Sequence, residues 1–215
     1  NVTRIFYRRF TVKILLIGAP GSGKGTQAKV ISKELGIPHI STGDLIRGSI
    51  AAGDPYGLTE IVNNGKLISM QLTLKLFRER ASQPDCNNGF ILDGFPRTLE
   101  QAEETERLIR FDKIIYIKID KEKVLNRLLG RRICKECGTS FHIDSYKKDK
   151  CENCGGDIIQ RIDDDMESIV KRFSVFDNET MPVIRFYEND PRLLVIDGDQ
   201  SIDKVSEDIL EAIKK

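Results

Sequence analysis

The stretch KILLIGAPGSGKGT, Lys13 to Thr26, decides the fold of this 215-residue chain. Its short apolar run is typical of a buried strand, and the residues from Lys24 to about Leu35 follow a helical pattern. The glycines between them let successive backbone N–H groups turn inward, while the helix start and Lys24 add positive charge. The sequence therefore predicts a phosphate-binding loop, with its hydroxyl at Thr26, one position later than in the pattern G-x-x-x-x-G-K-[ST]. A tight glycine turn with a surface lysine would leave the strand and the helix around it unexplained.

Short apolar runs predict four more strands. These runs are residues 38–41, 89–93, 113–119 and 193–197. Helical patterns cover residues 98–109, 121–129, 167–176 and 202–214. Because strands that alternate with helices form parallel sheets covered on both faces, we expect an α/β fold. The expected architecture is a three-layer sandwich on a five-stranded parallel sheet.

Two stretches interrupt this alternation. Residues 41–70 are helical and punctuated by glycine, and residues 130–164 are polar and rich in turns. We interpret both as insertions on one core domain, preceded by an N-terminal extension. The core is residues 12–40, 71–129 and 165–215, and the extension is residues 1–11. Ligands of such sheets bind beyond the carboxyl ends of the strands, where insertions emerge.

The composition excludes several classes of protein. Hydrophobic residues make up 40% and charged residues 31%, which indicates a globular chain rather than a disordered one. The net charge of +1 disfavours a generally cationic nucleic-acid binder. No apolar run approaches the roughly 20 residues that span a bilayer, so we expect no membrane span.

Four of the five cysteines form two pairs, Cys134-x-x-Cys137 and Cys151-x-x-Cys154, each followed by glycine. Four thiolates at this spacing predict a closed tetrahedral Zn²⁺ site with no open position for a substrate, hence a structural zinc ribbon. A disulfide pair and an iron site are the alternatives. His142 is a rival ligand whose ordinary role is that of a surface or packing residue, and Cys86 is left unpaired.

Two further motifs carry groups suited to phosphate chemistry. Asp93-Gly94-Phe95-Pro96-Arg97-Thr98 follows a predicted strand, where Asp93 suits a water-bridged Mg²⁺ shell and Arg97 can grip a phosphate with two N–H groups. Gln101 lies one helical turn beyond Arg97 and can share its face. The other motif is Ser41-Thr42-Gly43-Asp44-Leu45-Ile46-Arg47. Taken alone, it also fits a helix capped by Thr42 or Asp44, with Arg47 in solvent.

In order along the chain, these motifs resemble the nucleoside monophosphate kinases, and the adenylate kinases among them, over about residues 12–213. The resemblance implies reversible, Mg²⁺-dependent transfer of the terminal phosphoryl group from ATP to AMP, giving two ADP, for adenine nucleotide homeostasis. GTP as the donor is the alternative. The resemblance also implies that residues 41–70 bind the monophosphate and that the zinc ribbon is the lid of a long-form enzyme.

The resemblance assigns roles residue by residue. For ATP it implies Gly21, Ser22, Gly23, Lys24, Gly25, Thr26, Arg127, Arg131, Ser140, Phe141 and Gln200. For AMP it implies Thr42, Arg47, Lys66, Leu67, Ile68, Gly94, Arg97, Gln101, Arg161 and Arg172. The catalytic set is Lys24, Arg97, Arg131, Arg161 and Arg172. Asp163 and Asp164 match paired acids tied to lid closure, and Ser69-Met70-Gln71 departs from the family's usual Pro-Asp-Glu.

Two other classes of protein, a nucleic-acid binder and a nucleotide switch, would require sequence features that differ from those of a kinase. A zinc-ribbon nucleic-acid binder needs a basic ribbon, but residues 134–154 hold four lysines against four acidic residues. A nucleotide switch needs one nucleotide site and a partner surface, whereas two phosphate motifs are present. The expected partners are therefore ATP, AMP and ADP, with no nucleic acid, and we expect a monomer.

The cellular location is predicted from the cysteines and from the charge of the N-terminal residues. Reduced cysteines favour the cytoplasm. The first 33 residues hold seven Lys or Arg and no Asp or Glu, which keeps a mitochondrial location as the alternative.

Overall fold

The computed structural model describes residues 11–64 and 66–214. The expected N-terminal extension, apart from Thr11, lies outside the described residues. The strands are β1 (Val12–Gly18), β2 (His39–Ser41), β3 (Gly89–Asp93), β4 (Lys113–Lys118), β5 (Arg131–Cys134), β6 (Ser140–His142), β7 (Ile158–Ile159) and β8 (Leu193–Asp197). The helices are α1 (Lys24–Leu35), α2 (Thr42–Ala51), α3 (Leu58–Asn63), α4 (Met70–Ala81), α5 (Leu99–Leu108), α6 (Lys121–Leu129), α7 (Met166–Val175), α8 (Met181–Phe186) and α9 (Ile202–Lys214). A 3₁₀ turn spans Pro84–Asn88, and a π-helical turn, Phe176–Thr180, joins α7 to α8.

The main sheet has five parallel strands in the order β2-β3-β1-β4-β8. In its central strand, Ile14, Leu15, Leu16 and Ile17 are all at most 2% exposed. Successive side chains of a strand point to opposite faces, so Leu15 and Ile17 join one apolar core while Ile14 and Leu16 join the other. Helices cover both faces, which confirms the predicted sandwich.

The strand order brings the two phosphate motifs together. In the register of β1 and β3, Leu16 pairs with Asp93. The phosphate loop and the turn of residues 93–97, called the DGFPR turn below, therefore leave neighbouring strands at the same edge of the sheet. From β1 the chain first goes to β2 and β3 on one side of the sheet, and then to β4 and β8 on the other side. The strand order therefore reverses between β1 and β3, and ligands of open α/β sheets bind at such a point.

Side-chain caps fix where several helices begin. Ser41, Ser69, Thr98 and Asp165 each accept a hydrogen bond from a backbone N–H in the first turn of the helix that follows. The cap of α2 is thus Ser41 rather than Thr42 or Asp44, because β2 runs directly into the helix. The residue Ser69, at the position that departs from the family pattern, caps α4.

The two interrupting stretches have different structures. Residues 41–70 hold α2 and α3, while residues 130–164, called the cysteine insertion below, hold a small antiparallel sheet in the order β6-β5-β7. Among the described residues, no helix is long and apolar enough to cross a membrane.

Candidate active site

Two adjoining cavities open at the carboxyl edge of the main sheet. The larger, of about 1150 Å³, lies between the phosphate loop, the cysteine insertion and the loop after β8. The smaller, of about 100 Å³, lies between α2, the segment before α4 and the DGFPR turn. Arg97, Arg161 and Arg172 line both cavities. The two spaces therefore meet at a shared group of cations.

The phosphate loop holds a buried lysine. Lys24 Nζ donates hydrogen bonds to the carbonyl oxygens of Gly18, at 2.8 Å, and Ala19, at 2.9 Å. Burial lowers the pKa of Lys24 from 10.5 to about 8, with Asp93 opposing the shift and nearby arginines adding to it. An anion placed here would relieve the cost of the buried cation.

Close packing beneath the loop requires glycine at position 21. Gly21 has φ +81°, and a Cβ there would lie 2.7 Å from Leu128 Cγ on α6. Beside it, Ser22 Oγ is buried with no hydrogen-bond partner among the described residues. A buried polar atom normally has a partner, so this hydroxyl is free to bind a ligand.

Three arginines and two aspartates form a compact charge network at the mouth of the smaller cavity. Arg131 Nε donates to Asp164 Oδ2 at 2.7 Å, and Arg161 donates to both oxygens of Asp163, at 2.9 and 2.7 Å. Arg172 Nη1 donates to Asp164 Oδ1 at 2.9 Å. Burial lowers the pKa of Arg172 to about 10, although the negative charge of Asp163 opposes this shift. Burial would raise the pKa of Asp163, but the charges of Arg161 and Arg172 hold that pKa well below its usual value. With Arg97 and Lys24 the site keeps a surplus of positive charge.

Asp93 lies beside the phosphate loop, at the end of β3. Burial alone would raise the pKa of Asp93, but His39 and the charges of Lys24 and Arg97 hold it below its usual value. An ideal Cβ at Gly25 would lie 3.9 Å from Asp93 Oδ2. An ionised carboxylate at this place has the chemistry of a water-bridged Mg²⁺ ligand. His39 Nε2 lies 3.5 Å from the same oxygen.

The smaller cavity contains the residues expected to bind AMP. Arg97 Nε donates to the Gly94 carbonyl oxygen at 2.6 Å, which folds the guanidinium back over the turn. Gln101 Oε1 accepts from the Arg97 backbone N–H at 2.7 Å, which orients its amide group. Arg47 lies close to Arg161, and burial together with that charge lowers the pKa of Arg47. All ten predicted residues line this cavity: Thr42, Arg47, Lys66, Leu67, Ile68, Gly94, Arg97, Gln101, Arg161 and Arg172.

The larger cavity likewise contains every residue expected to bind ATP: Gly21, Ser22, Gly23, Lys24, Gly25, Thr26, Arg127, Arg131, Ser140, Phe141 and Gln200. Both terminal nitrogens of Arg127 donate to the Gly198 carbonyl oxygen at 3.2 Å. Phe141 is stacked on Tyr146, with ring centroids 4.1 Å apart.

Several lining residues could not be predicted from the motifs. Gln27, His39 and Tyr146 line the larger cavity, and Ile46, Val62, Thr73 and Phe95 line the smaller one. His39 could have been found from alternation, since it lies two residues before Ser41 on the strand. Nothing in the sequence pairs Tyr146 with Phe141, because a loop joins them.

The four paired cysteines meet at one point. Their Sγ atoms all lie within 4.8 Å of one another, with 3.4 Å between Cys134 and Cys154 and 3.7 Å between Cys137 and Cys151. Thiolates 2.3 Å from a tetrahedral zinc ion are about 3.8 Å apart, whereas a disulfide needs about 2.05 Å. The thiols are free. The geometry therefore fits a four-thiolate metal site and not a disulfide pair.

His142 is not a member of this group. Its Nδ1 accepts from the Asp144 backbone N–H at 3.3 Å, and its ring covers Gly130, where a Cβ would lie 2.1 Å from Nε2. His142 therefore packs at the surface of the insertion, in keeping with the surface or packing role expected for it. Cys86 also lies apart, buried beside Arg80.

Comparison with known proteins agrees with this geometry. The family model for adenylate kinase matches residues 16–191. An adenylate kinase of Clostridium perfringens (strain 13 / Type A) is 45% identical over 212 residues, which cover 94% of this chain and 97% of the relative. Adenylate kinases of Geobacillus sp. (strain WCH70) and Methanocella arvoryzae are 43% and 42% identical, covering 94% and 95% of this chain and 98% and 99% of the relatives. The chain therefore belongs to the adenylate kinase family.

Proposed function

We propose that this enzyme transfers the terminal phosphoryl group of ATP to AMP, reversibly and with Mg²⁺, giving two ADP and so interconverting the adenine nucleotides. The observation that carries this proposal is the position of Arg97, Arg161 and Arg172, which line both cavities. Two anionic nucleotides bound in the two spaces would face each other across these side chains. A protein with a single nucleotide site has no need of the second cavity.

In this proposal the larger cavity binds ATP. The phosphate loop and Lys24 hold the phosphates, and Arg127, Ser140, Phe141 and the loop with Gln200 border the base. Mg²⁺, when bound with ATP, would neutralise phosphate charge, and Asp93 is the residue that would hold its water shell. The relatives described above are all adenylate kinases, which supports ATP rather than GTP as the donor.

The smaller cavity would bind AMP. Arg47 and Arg97 would hold its phosphate, and the amide of Gln101 would bond the edge of its base beside Leu67 and Ile68. A site built to hydrogen-bond one base rejects bases that leave its polar groups unpaired. Gln101 is 6% exposed, so a base that left its amide unpaired would leave a buried polar group without a partner.

Catalysis in this proposal is positioning and charge stabilisation. An oxygen of the AMP phosphate attacks directly, so no covalent intermediate on the enzyme is needed. Arg131, Arg161 and Arg172 would move from Asp163 and Asp164 toward the charge that spreads over the transferred group. The cavity must close over both nucleotides, because water would otherwise hydrolyse the donor.

We propose three units for this cycle: the core of residues 12–40, 71–129 and 165–215, the AMP-binding insertion of residues 41–70, and the cysteine insertion as the lid. Zinc on Cys134, Cys137, Cys151 and Cys154 would hold the lid as one rigid body, since a closed four-thiolate site leaves no position for a substrate. We further propose a monomer that acts in the cytoplasm on free nucleotides and needs no nucleic acid.

A steady-state assay tests the function. Wild-type enzyme is supplied with ATP or GTP as the donor against AMP, CMP, GMP or UMP as the acceptor, with and without Mg²⁺, and ADP is measured. We expect ATP with AMP and Mg²⁺ to give the highest kcat/KM. Equal or better use of GTP contradicts the donor assignment, and turnover without AMP contradicts the two-site mechanism.

A further inference from the structure

A buried glutamine links the phosphate loop to a distant part of the chain. Gln27 lies on α1, three residues after Lys24, and is 3% exposed. Its Nε2 donates to the Ile202 carbonyl oxygen at 2.9 Å, and its Oε1 accepts from Ser206 Oγ at 2.6 Å. Ser206, on α9, is 6% exposed. One amide group therefore joins α1 to the start of α9 through two buried hydrogen bonds.

These contacts hold one end of a cavity-lining loop. The loop runs from Gly198 to Ile202 between β8 and α9, and Gly198, Gln200 and Ile202 all line the larger cavity. Arg127 holds its other end through the Gly198 carbonyl oxygen. Side chains from α6 and α1 thus fix both ends of a loop whose residues Gly198, Gln200 and Ile202 border the larger cavity.

We propose that Gln27 is a positioning residue that sets donor-base selectivity. It fixes the loop of residues 198–202 at a set distance from the phosphate loop, since Lys24 and Gln27 lie one turn apart on the same helix. Backbone groups discriminate between bases only while they are held in place, and a misplacement of about 1 Å can cost about 100-fold in rate. This inference rests on the proposed function, because it places the donor in the larger cavity.

A merely structural role makes a different prediction. If the two hydrogen bonds only stabilised the packing of α1 against α9, their loss would lower the melting temperature and leave the preference for ATP over GTP unchanged. The discriminating quantity is therefore the ratio of kcat/KM for ATP to kcat/KM for GTP at saturating AMP.

Three variants separate these roles. Gln27→Met keeps the length of the side chain and removes both hydrogen bonds, while Ser206→Ala removes only the hydroxyl and keeps the bond from Gln27 to Ile202. Ile209→Val is the control, because Ile209 is a fully buried residue of α9 that belongs to an apolar core. Circular dichroism and thermal melting verify that each variant is folded.

We expect Gln27→Met to raise the KM for ATP about tenfold and to lower the ATP-to-GTP ratio about fivefold or more, since a buried hydrogen-bonding group loses its partner. The KM for AMP should stay within about twofold of wild type, because the smaller cavity is untouched. Ser206→Ala should shift the ratio in the same direction by less. Ile209→Val should lower the melting temperature and leave the ratio unchanged.

The inference is overturned if folded Gln27→Met keeps the wild-type ATP-to-GTP ratio of kcat/KM and the wild-type KM for ATP. It is also overturned if the KM for AMP rises as much as the KM for ATP, or if the wild-type enzyme does not discriminate ATP from GTP. If Gln27→Met does not fold, the ATP-to-GTP ratio of Ser206→Ala tests the inference instead, and an unchanged ratio overturns it. If wild type fails to convert ATP and AMP, the proposed function fails instead. Calorimetric binding of ATP and GTP to wild type and Gln27→Met then tests the inference by the same ratio.

Discussion

Arg131 and Asp164 are joined by two hydrogen bonds, from Nε to Oδ2 at 2.7 Å and from Nη2 to Oδ1 at 2.5 Å. Arg131 begins β5 and is the second residue of the cysteine insertion, and Asp164 is the last, with a side chain that is fully buried. The pair therefore ties together the two points at which this insertion leaves and rejoins the rest of the chain. Arg172 bonds to the same carboxylate from α7, so the tie extends to the arginines at the mouth of the smaller cavity.

We expect Asp164→Asn to be strongly destabilising and to lower kcat. The amide keeps the shape of the carboxylate but leaves Arg131 and Arg172 without their counter-charge, and breaking a buried ion pair on one side costs about 3–5 kcal/mol. Urea unfolding and steady-state rates measure the two effects. Asp165→Asn is the matched control, because Asp165 caps α7 and asparagine caps a helix equally well. Equal stability of the two variants would contradict a structural role for the Arg131–Asp164 pair.

Replacing Lys24 should remove most of the activity while preserving the fold. Lys24→Met loses the cation that the phosphate loop surrounds, and loss of one preorganised group of this kind lowers kcat by about 10²–10³-fold. The unliganded variant should be at least as stable as wild type, because a buried charge is gone. Lys33→Met, an exposed lysine on the same helix, is the control and should keep wild-type kcat. Near-normal turnover by Lys24→Met would rule out the assigned role.

The depressed pKa of Lys24 predicts how nucleotide binding depends on pH. Burial lowers this pKa to about 8, and a bound polyphosphate favours the charged amine, so affinity for ATP should fall as the pH rises above 8. In the unliganded protein the sign is opposite: the unfolded chain binds the proton more tightly, so stability should rise between pH 8 and 10.5. Calorimetric titrations of ATP over a range of about pH 7 to 9.5, on either side of this pKa, measure the fall in ATP affinity. The same decline in Lys24→Met would assign it to another group.

Much of the core could be predicted from the sequence because it follows local rules. The strand Gly89–Asp93 and the helix Lys121–Leu129 have the predicted bounds, since a continuous apolar run and a helical repeat each determine their own element. The cap of α2 was predicted at the wrong residue, because Ser41 ends β2 and also begins the helix. The helix Met181–Phe186 was not predicted, although Pro182 in its first turn is a helix-start signal, because the π-helical turn before it continues α7 without a break.

The site was predictable where a motif lies within one segment. Lys24 and Arg97 follow strands that the sequence identifies, so their meeting at one edge of the sheet could be expected. The contacts of Gln27 with Ile202 could not, because they join residues 175 positions apart, and that juxtaposition depends on how α9 packs against α1. Long-range pairs of this kind require the three-dimensional structure.

Arg97 should act on the acceptor side of the reaction. Its guanidinium lies over the Gly94 carbonyl oxygen in the smaller cavity, so Arg97→Ala should lower kcat/KM for AMP by about 10²-fold and change the KM for ATP much less. Arg107→Ala, an exposed position on the following helix, is the control. Initial rates with each nucleotide varied in turn give both constants. An effect confined to ATP would reverse the assignment of the two cavities.

Metal in the cysteine insertion should stabilise that insertion more than it assists chemistry. Cys134 is a fully buried member of the four-thiol group, so Cys134→Ser should release the metal and lower the melting temperature. At moderate temperature kcat should fall by less than about tenfold, because no ligand of this site lines either cavity. Metal analysis of wild type should find one zinc ion per chain, and Cys86→Ala should retain it, since Cys86 lies outside the group. A Cys134→Ser protein that keeps its zinc and its melting temperature would show that the four thiolates do not form a structural site.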